Sequence, residues 1–247
     1  MKIYDKLLEM KDRRANYFAL IDPDSIEPDK VKEISMMFEE NGVDGILVGG
    51  SLMLKDNFNK VLKTIKESVQ IPVIIFPGIF DFVSPFADAL LLLSVVSSRN
   101  PQMLIGEQVR AAPLIKKFSL ESIGTGYILI EGGKISSVQY MSFSQPIPKD
   151  KADIAVAHAL AAQYLGMKII YMDAGSGALM PISDLMIKKV KENIELPLII
   201  GGGIKSPEIA YQKAKAGADF VVIGSATEEK RDPTLIKEFA DAIHGAR

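Results

Sequence analysis

The feature of this chain that most restricts its fold is a regular alternation of short aliphatic runs with longer segments of helical periodicity. Such alternation is typical of βαβ units, in which a helix leads from one parallel strand to the next. Strands are predicted at 17–22, 45–49, 73–76, 89–95, 127–130, 169–173, 198–201 and 220–224. Helices are predicted at 28–41, 55–69, 101–117, 152–166, 182–194, 206–216 and 233–244. Because TIM barrels take about 250 residues, the pattern predicts an α/β fold, with residues 1–247 forming a single (β/α)8-barrel domain.

The pattern departs from a regular barrel at two connections. Residues 76–86, FPGIFDFVSPF, are too few and too rich in proline and glycine for a full helix, so one outer helix is predicted to be missing after the third strand. Residues 126–142 are predicted to form a hairpin around a Gly132-Gly133 turn. Residues 1–14 predict an amphipathic helix, for which we favour a place on the barrel floor over contact with a membrane surface.

The charge balance and the absence of cysteine exclude several classes of function. The chain has 29 Lys and Arg against 31 Asp and Glu and no basic block, so no nucleic-acid partner is expected. Without cysteine there is no disulfide, thiolate catalysis or cysteine-ligated metal, which is consistent with a cytoplasmic protein. The most apolar run, 87–93, is far shorter than the ~20 residues of a spanning helix. A soluble protein with no transmembrane segment is therefore expected.

Glycine-rich turns follow the last three predicted strands, at the rim where TIM barrels build their active sites. These turns are 175–177, 202–203 and 224–225. Glycine lets main-chain NH groups approach an anion, and each following helix adds the positive end of its dipole. The turns therefore predict a site for a phosphomonoester, and tight turns with no ligand are the alternative.

Two further pairs of polar residues follow predicted strands. Asp22 ends the first strand and Ser51 follows the second, which predicts a Mg²⁺ site because Mg²⁺ accepts one or two carboxylates and completes its shell with phosphate and water. The alternative is that Asp22-Pro23-Asp24 only shapes a turn. Arg99 and Asn100 follow the fourth strand, either as phosphate ligands or in a salt bridge or helix cap that leads into Pro101.

The remaining candidate side chains carry weaker signals. Phe76, Phe80, Phe82 and Phe86 lie on one long loop, where simple packing is favoured over an apolar groove for a hydrocarbon chain. His158 and His244 are far apart in the sequence, and neither is expected to be catalytic. No histidine is placed to activate Ser176, so a hydrolase triad has no support.

Several motifs resemble those of the geranylgeranylglyceryl phosphate synthase family, which includes the heptaprenylglyceryl phosphate synthases. The most specific is YMDAGSGA, and similar segments cover nearly the whole chain. They are IDPD at 21–24, VGGS at 48–51, SSRNPQMLIGEQVRAAP at 97–113, SQPIPKDKADIAVAHALAAQYLGMK at 144–168, GGGIKSPE at 201–208 and VIGSA at 222–226. The stretch 145–148 points to the larger branch of the family.

The resemblance implies a prenyltransferase that joins sn-glycerol 1-phosphate to geranylgeranyl diphosphate and releases diphosphate, in a modified barrel that lacks one helix. It implies that Asp22 and Ser51 hold Mg²⁺ with the diphosphate, that Asp173 and Tyr171 serve catalysis, and that the protein is a homo-oligomer. Arg99 and Asn100 are added as candidate substrate ligands. The implied glycerol phosphate site consists of Tyr171, Met172, Asp173, Ala174, Gly175, Ser176, Gly177, Gly202, Gly203, Gly224 and Ser225.

The chain departs from the family pattern at two positions. Asp173 stands where many members have glutamate, so contact with the glycerol hydroxyls would be longer or would pass through water. Leu20 stands where the Bacillus-type branch has lysine, and it cannot contact phosphate. Two other functions stay open at this point: a different phosphate-binding TIM-barrel enzyme and a non-catalytic protein that binds phosphorylated polyols.

Overall fold

The computed structural model describes residues 2–78, 82–224 and 232–247. Its centre is a closed barrel of eight parallel strands in chain order, which closes where β1 pairs with β8. The strands are β1 Asn16–Ile21, β2 Gly45–Val48, β3 Val73–Ile75, β4 Ala89–Val95, β5 Glu121–Leu129, β6 Ile169–Asp173, β7 Leu198–Gly201 and β8 Phe220–Ile223. The predicted TIM-type α/β barrel is therefore confirmed.

Helices connect the strands. They are α1 Ile3–Arg13, α2 Val31–Glu40, α3 Phe58–Ser68, α4 Glu107–Phe118, α5 Ser137–Ser142, α6 Ala152–Tyr164, α7 Asp184–Lys191, α8 Pro207–Ala216 and α9 Pro233–His244. A 3-10 turn at Pro28–Lys30 precedes α2 and a π-helical turn at Gln102–Gly106 precedes α4. Helices α8 and α9 have side-chain caps, because Ser206 accepts from Ile209 N and Asp232 accepts from Thr234 N. None of the helices in the described ranges is long and apolar enough to span a bilayer.

Both faces of the strands are buried, because side chains fill the barrel interior and helices cover its outside. Every residue of β2, β6, β7 and β8 is buried, which explains why these strands are mostly apolar in the sequence, with Asp173 as the one charged residue among them. The register places Leu129, Asp173 and Gly201 at one level on neighbouring strands. The carboxyl ends of β5, β6 and β7 therefore meet at one rim.

Helix α1 covers the opposite end of the barrel, as the favoured interpretation predicted. Glu121, at the start of β5, accepts hydrogen bonds from Ile3 N at 2.6 Å and Tyr4 N at 2.9 Å. The carboxylate thus satisfies two free NH groups at the start of the helix. Leu7 is buried in the core.

A second polar cluster at the floor explains His244. Its Nε2 lies 2.7 Å from Asp44 Oδ2, and Asp44 also accepts from Tyr17 N and from Arg14. Burial raises the pKa of Asp44, but these hydrogen bonds outweigh it and hold the pKa below its ordinary value. His244 therefore has a structural contact far from the strand ends that carry the candidate site.

The structure agrees with the prediction for one irregular connection and contradicts the prediction for the other. Between β3 and β4, residues 76–78 and 82–88 contain no helix, in agreement with their proline and glycine content. The hairpin predicted over 126–142 is wrong. Strand β5 begins earlier, at Glu121, because it pairs with β4 from Ala89↔Glu121 onward. After Gly133 the chain enters α5, whose first turn is capped by Ser136.

Candidate active site

Asp173 ends β6 with its carboxylate almost fully buried, at 8% exposed. Its two oxygens have different donors: Tyr127 Oη donates to Oδ2 at 2.7 Å, and Gly175 N donates to Oδ1 at 2.7 Å. A carboxylate oxygen has two lone pairs, so each oxygen keeps the capacity to accept one more hydrogen bond. The barrel rim therefore presents a fixed acceptor in a low-dielectric setting.

The electrostatics of this group favour proton acceptance. Burial raises the pKa of Asp173, and the hydrogen bonds from Tyr127 and Gly175 N offset only part of this rise. Burial, together with the charge of Asp173, also raises the pKa of both Tyr127 and Tyr171 well above the ordinary value. Both phenols are thus protonated at neutral pH, while Asp173 is a stronger base than an exposed aspartate.

Aromatic rings form one side of the site. The ring of Phe76 stacks on Tyr171 with centroids 5.1 Å apart, and Tyr127 contacts both rings at 6.2 and 5.5 Å. Tyr171 is accommodated by Gly201, because a Cβ there would lie 2.8 Å from the phenol oxygen. The register of β6 and β7 therefore places a large ring against a residue that has no side chain.

The glycine turns bring main chain close to Asp173. Gly202 has φ +84°, and a Cβ on it would lie 2.6 Å from Asp173 Oδ1 and 2.7 Å from Gly175 N. Gly175, Gly177 and Gly203 also have positive φ. Ser176 and Gly177 are exposed, which leaves the outer part of the turn open to solvent. The turns that follow β6 and β7 are therefore in direct contact, as the phosphate-site prediction requires.

The predicted part of the site at the end of β8 is only partly described. Gly224 follows β8 directly and is half-buried, whereas Ser225 lies outside the described residues. Met172 and Ala174 flank Asp173 and are buried. Their side chains belong to the core, so their contribution to a ligand would come from the main chain.

Asp22 and Ser51 lie at adjacent strand ends, as predicted. Asp22 follows β1 and Ser51 follows β2 by a few residues, and a Cβ on Gly50 would lie 3.0 Å from Asp22 Oδ2. Burial, aided by the charge of Asp24, raises the pKa of Asp22 against a hydrogen bond from Asp24 N and the charge of Lys55. Across the described parts of the chain, no three His, Cys, Asp or Glu cluster as a metal cage. One carboxylate and a hydroxyl suit Mg²⁺ that shares its shell with phosphate and water.

The turn on which the alternative interpretation rests is present in this loop, and the Mg²⁺ site stays a prediction. Asp22 Oδ1 accepts from Asp24 N at 2.9 Å, which closes a local turn. Asp24 in turn accepts from Leu54 N at 2.5 Å and Lys55 N at 3.1 Å. Asp24 therefore ties the loop after β1 to the loop after β2, and this connection helps to position Asp22.

Asn100 makes the capping contact considered from the sequence, whereas the contacts of Arg99 are to a carbonyl oxygen and an imidazole. Arg99 Nη1 donates to Ser98 O at 2.8 Å, and Nη2 lies 3.5 Å from His158 Nε2 on α6. Asn100 Oδ1 accepts from Gln102 N at 3.1 Å at the start of the π-helical turn. These contacts give Asn100 a capping role, and a role for either residue in phosphate binding stays a prediction.

Lys134 and Tyr127 are site residues that the sequence interpretation missed. A Cβ on Gly177 would lie 3.2 Å from Lys134 Nζ, so an ammonium group is placed against the exposed glycine turn. Both residues were assigned to the hairpin that does not form. The available signal was their position along the fifth strand and in the loop at its carboxyl end, where barrel active sites are built.

The phenylalanine residues of the loop after β3 differ in their contacts. Phe76 joins the site, whereas Phe82 packs on Phe58 of α3 with centroids 5.3 Å apart. Phe86 lies beneath Lys63 Nζ at 5.7 Å from the ring centroid. Phe80 lies outside the described residues. Packing is therefore the main function of the described aromatic residues beyond Phe76.

The closed parallel barrel places the chain among the TIM-barrel proteins, and its glycine turns are of the kind that bind phosphate in that class. Residues 9–243 match the PcrB family, and the chain belongs to this family. A geranylgeranylglyceryl phosphate synthase of Chitinophaga pinensis is 46% identical over 246 residues, which cover 99% of this chain and 97% of the relative. One of Methanosphaera stadtmanae is 44% identical over 245 residues, with 99% and 100% covered.

A solved structure gives the same result. The (S)-3-O-geranylgeranylglyceryl phosphate synthase of Thermoplasma acidophilum, in complex with its substrate sn-glycerol-1-phosphate, superposes with a TM-score of 0.94. The two chains are 31% identical, and the match covers 99% of each. The resemblance to the geranylgeranylglyceryl phosphate synthase family is thus confirmed.

Gly202→Ala and Gly166→Ala form a matched pair that tests the contact between the glycine turns. Both residues have φ near +85°, but a Cβ on Gly166 meets nothing within 4 Å. Gly166→Ala is expected to cost about 1–2 kcal/mol of unfolding free energy from backbone strain. Gly202→Ala should cost a further ~1–3 kcal/mol from overlap. Denaturant titration measures both values, and equal losses would contradict the close approach of Gly202 to Asp173.

Proposed function

We propose that this protein joins the 3-hydroxyl of sn-glycerol 1-phosphate to C1 of geranylgeranyl diphosphate. The products are geranylgeranylglyceryl phosphate, which contains the new ether bond, and diphosphate. The observation that carries the proposal is the superposition over nearly the whole chain on the Thermoplasma acidophilum enzyme in complex with sn-glycerol-1-phosphate. The protein is accordingly a prenyltransferase of ether-lipid biosynthesis.

In this proposal the glycine turns bind the phosphate of glycerol phosphate. Main-chain NH groups of 176–177 and 202–203 and the Ser176 hydroxyl supply the donors. Gly175, whose NH is bonded to Asp173, shapes the turn, and Gly224 and Ser225 border the phosphate at the end of β8. Lys134 supplies positive charge, because its ammonium lies against Gly177. With the phosphate held there, the glycerol hydroxyls extend towards Asp173, which contacts the same turns.

Asp173 accepts the proton of the 3-hydroxyl as the oxygen attacks C1. The bond between C1 and the diphosphate oxygen breaks, the bond between C1 and the glycerol oxygen forms, and the proton passes to the carboxylate. The raised pKa of Asp173 supports this role, because a stronger base accepts a proton more readily. The negative charge also stabilises positive charge that develops on the allylic carbons.

Tyr171 provides the second catalytic contact. Its ring is stacked between Phe76 and the interior of the barrel, beside Asp173. An aromatic face stabilises a nearby cation, and here the cation is the allylic group in the transition state. The adjoining Phe76 ring begins the apolar surface for the prenyl chain, for which each buried CH₂ contributes about 0.8 kcal/mol.

Asp22 and Ser51 hold Mg²⁺ in this proposal. These residues fit Mg²⁺ because they supply one carboxylate and one hydroxyl at adjacent strand ends. Phosphate and water would supply the remaining ligands. When bound, Mg²⁺ supplies positive charge that neutralises the diphosphate leaving group. Arg99 and Asn100 stay candidate ligands at the end of β4, although their present contacts are to Ser98, His158 and Gln102.

The proposal includes a homo-oligomer in the cytoplasm. Support for self-association comes from large apolar side chains on the surface of α4 and at the end of α5, among them Val109, Tyr140 and Phe143. Phe143 is 81% exposed, and such surfaces commonly mark contacts with other protein chains. The absence of cysteine is consistent with a reducing compartment.

The test of the proposed function is product analysis. The protein is incubated with sn-glycerol 1-phosphate, Mg²⁺ and a mixture of prenyl diphosphates, and the extracted lipid is measured by mass spectrometry. The expected product is the C20 ether, accompanied by equimolar diphosphate. Another phosphate-binding barrel enzyme would yield no extractable lipid, and a non-catalytic binding protein would release no diphosphate. A different dominant chain length would contradict the geranylgeranyl assignment alone.

Asp173→Asn is expected to lower kcat by about 100-fold or more, the scale for loss of a general base. Affinity for glycerol phosphate should stay within a few-fold, because the glycine turns keep the phosphate contacts. Steady-state kinetics and calorimetric titration measure the two quantities. Asp153→Asn, an equal charge change on an exposed face of α6, is the control. Near-normal kcat in Asp173→Asn would refute the base role.

Asp22→Ala is expected to abolish the Mg²⁺-dependent part of diphosphate binding, because the carboxylate at that site is lost. Calorimetric titration with inorganic diphosphate, with and without Mg²⁺, measures this without reference to turnover. Asp56→Ala, which removes an exposed carboxylate from the loop after β2, should leave the binding heat unchanged. An unchanged Mg²⁺-dependent heat in Asp22→Ala would show that the metal is held elsewhere.

A further inference from the structure

A buried phenol holds the carboxylate of Asp173 in place. Tyr127 is 2% exposed, and its Oη lies 2.7 Å from Asp173 Oδ2. The two residues are far apart in the sequence and meet only because β5 and β6 are neighbours. A charge-assisted hydrogen bond of this length between two buried groups is among the stronger polar contacts in a protein.

The register shows why tyrosine is needed at this position. Tyr127 pairs with Tyr171, two residues before the pairing of Leu129 with Asp173. Two residues of strand rise about 6.6 Å, so a donor on residue 127 needs a long side chain to reach the Asp173 carboxylate. The length of a tyrosine side chain spans this distance, and it carries a hydroxyl at its end. Phenylalanine would fill the same space without a donor.

Each carboxylate oxygen then has one fixed partner. Tyr127 donates to Oδ2 and Gly175 N donates to Oδ1, so rotation of the carboxylate about its last bond would break both contacts. The remaining lone pairs point in fixed directions at the barrel mouth. Such fixing matters for proton transfer, because a misplaced base loses rate steeply with small displacements.

We infer that Tyr127 is a positioning residue, whose phenol orients the Asp173 carboxylate towards the hydroxyl that it deprotonates. This inference rests on the proposed function, because it assigns a support to the proposed base. The hydrogen bond from Tyr127 also stabilises the ionised carboxylate and so offsets part of the effect of burial. The interaction therefore affects both the geometry and the protonation state of the base.

The groups that face Asp173 are few among the described residues. Tyr127 approaches from β5, and Tyr171 lies on the same strand as Asp173. Gly201 at the end of β7 and Gly202 after it have no side chain. The titratable groups against the carboxylate are thus the two phenols, both protonated at neutral pH. Loss of the Tyr127 hydroxyl removes a contact that lowers the pKa of Asp173.

Tyr127→Phe tests the inference while the ring and its packing are kept. We expect kcat to fall about tenfold or more, with KM for glycerol phosphate within about threefold. The pKa of Asp173 should rise in the variant, so the acidic limb of kcat/KM should move to higher pH by about one unit. Tyr4→Phe, which removes a phenol that bonds Lys168 O at the barrel floor, should leave the profile unchanged.

A double-mutant cycle separates positioning from a purely structural role. In the Asp173→Asn background, Tyr127→Phe should cause little further loss of kcat, because the group that it positions is already altered. An unchanged pH limb in Tyr127→Phe, or losses that are additive in the cycle, would overturn the inference even if thermal stability falls. Absence of lipid product from the unaltered protein would instead overturn the proposed function, so the two failures are distinguishable.

Discussion

The structure at the barrel mouth depends on the burial of one carboxylate, that of Asp173. Burying an ionised group costs several kcal/mol unless hydrogen bonds replace its water shell. Here the replacements are one phenol from a neighbouring strand and one main-chain NH from the turn that follows. The first donor requires Tyr127 to lie on β5 at a matching register. The second requires the chain at Gly175 to turn back towards β6. The shape of the site follows from these two requirements.

The glycines are a consequence of that close packing. Around Asp173 the main chain of two turns and the Tyr171 ring occupy the space where Cβ atoms of Gly201 and Gly202 would otherwise lie. Glycine therefore serves two purposes here. It leaves room for a buried acid, and it lets an anion approach main-chain NH groups. Both are needed in a site proposed to hold a phosphate and an alcohol side by side.

The two ends of the barrel use charge differently. At the floor, Glu121 accepts from the start of α1, and Asp44 accepts from Tyr17 N and Arg14 and lies against His244, so both carboxylates tie that end together. At the mouth, Asp173 keeps accepting capacity, and Lys134 lies beside an exposed turn. Arg99, a candidate phosphate ligand at the end of β4, contacts His158 on α6. The mouth therefore differs from the floor in having a buried acid beside an exposed glycine turn and an ammonium group.

The barrel class, the order of the strands, the irregular connection after β3 and the glycine turns were predictable from the sequence, because local periodicity and turn chemistry determine them. Asp173 and Asp22 were also predictable, since each ends a strand. The partners Tyr127 and Lys134 were not: Tyr127 was placed on the fifth strand without a role in the site, and Lys134 was assigned to a hairpin that does not form. Their roles arise from contacts across neighbouring strands and loops, such as Tyr127 with Asp173, which depend on register. Register is a property of the closed barrel as a whole, and only the tertiary structure decides it.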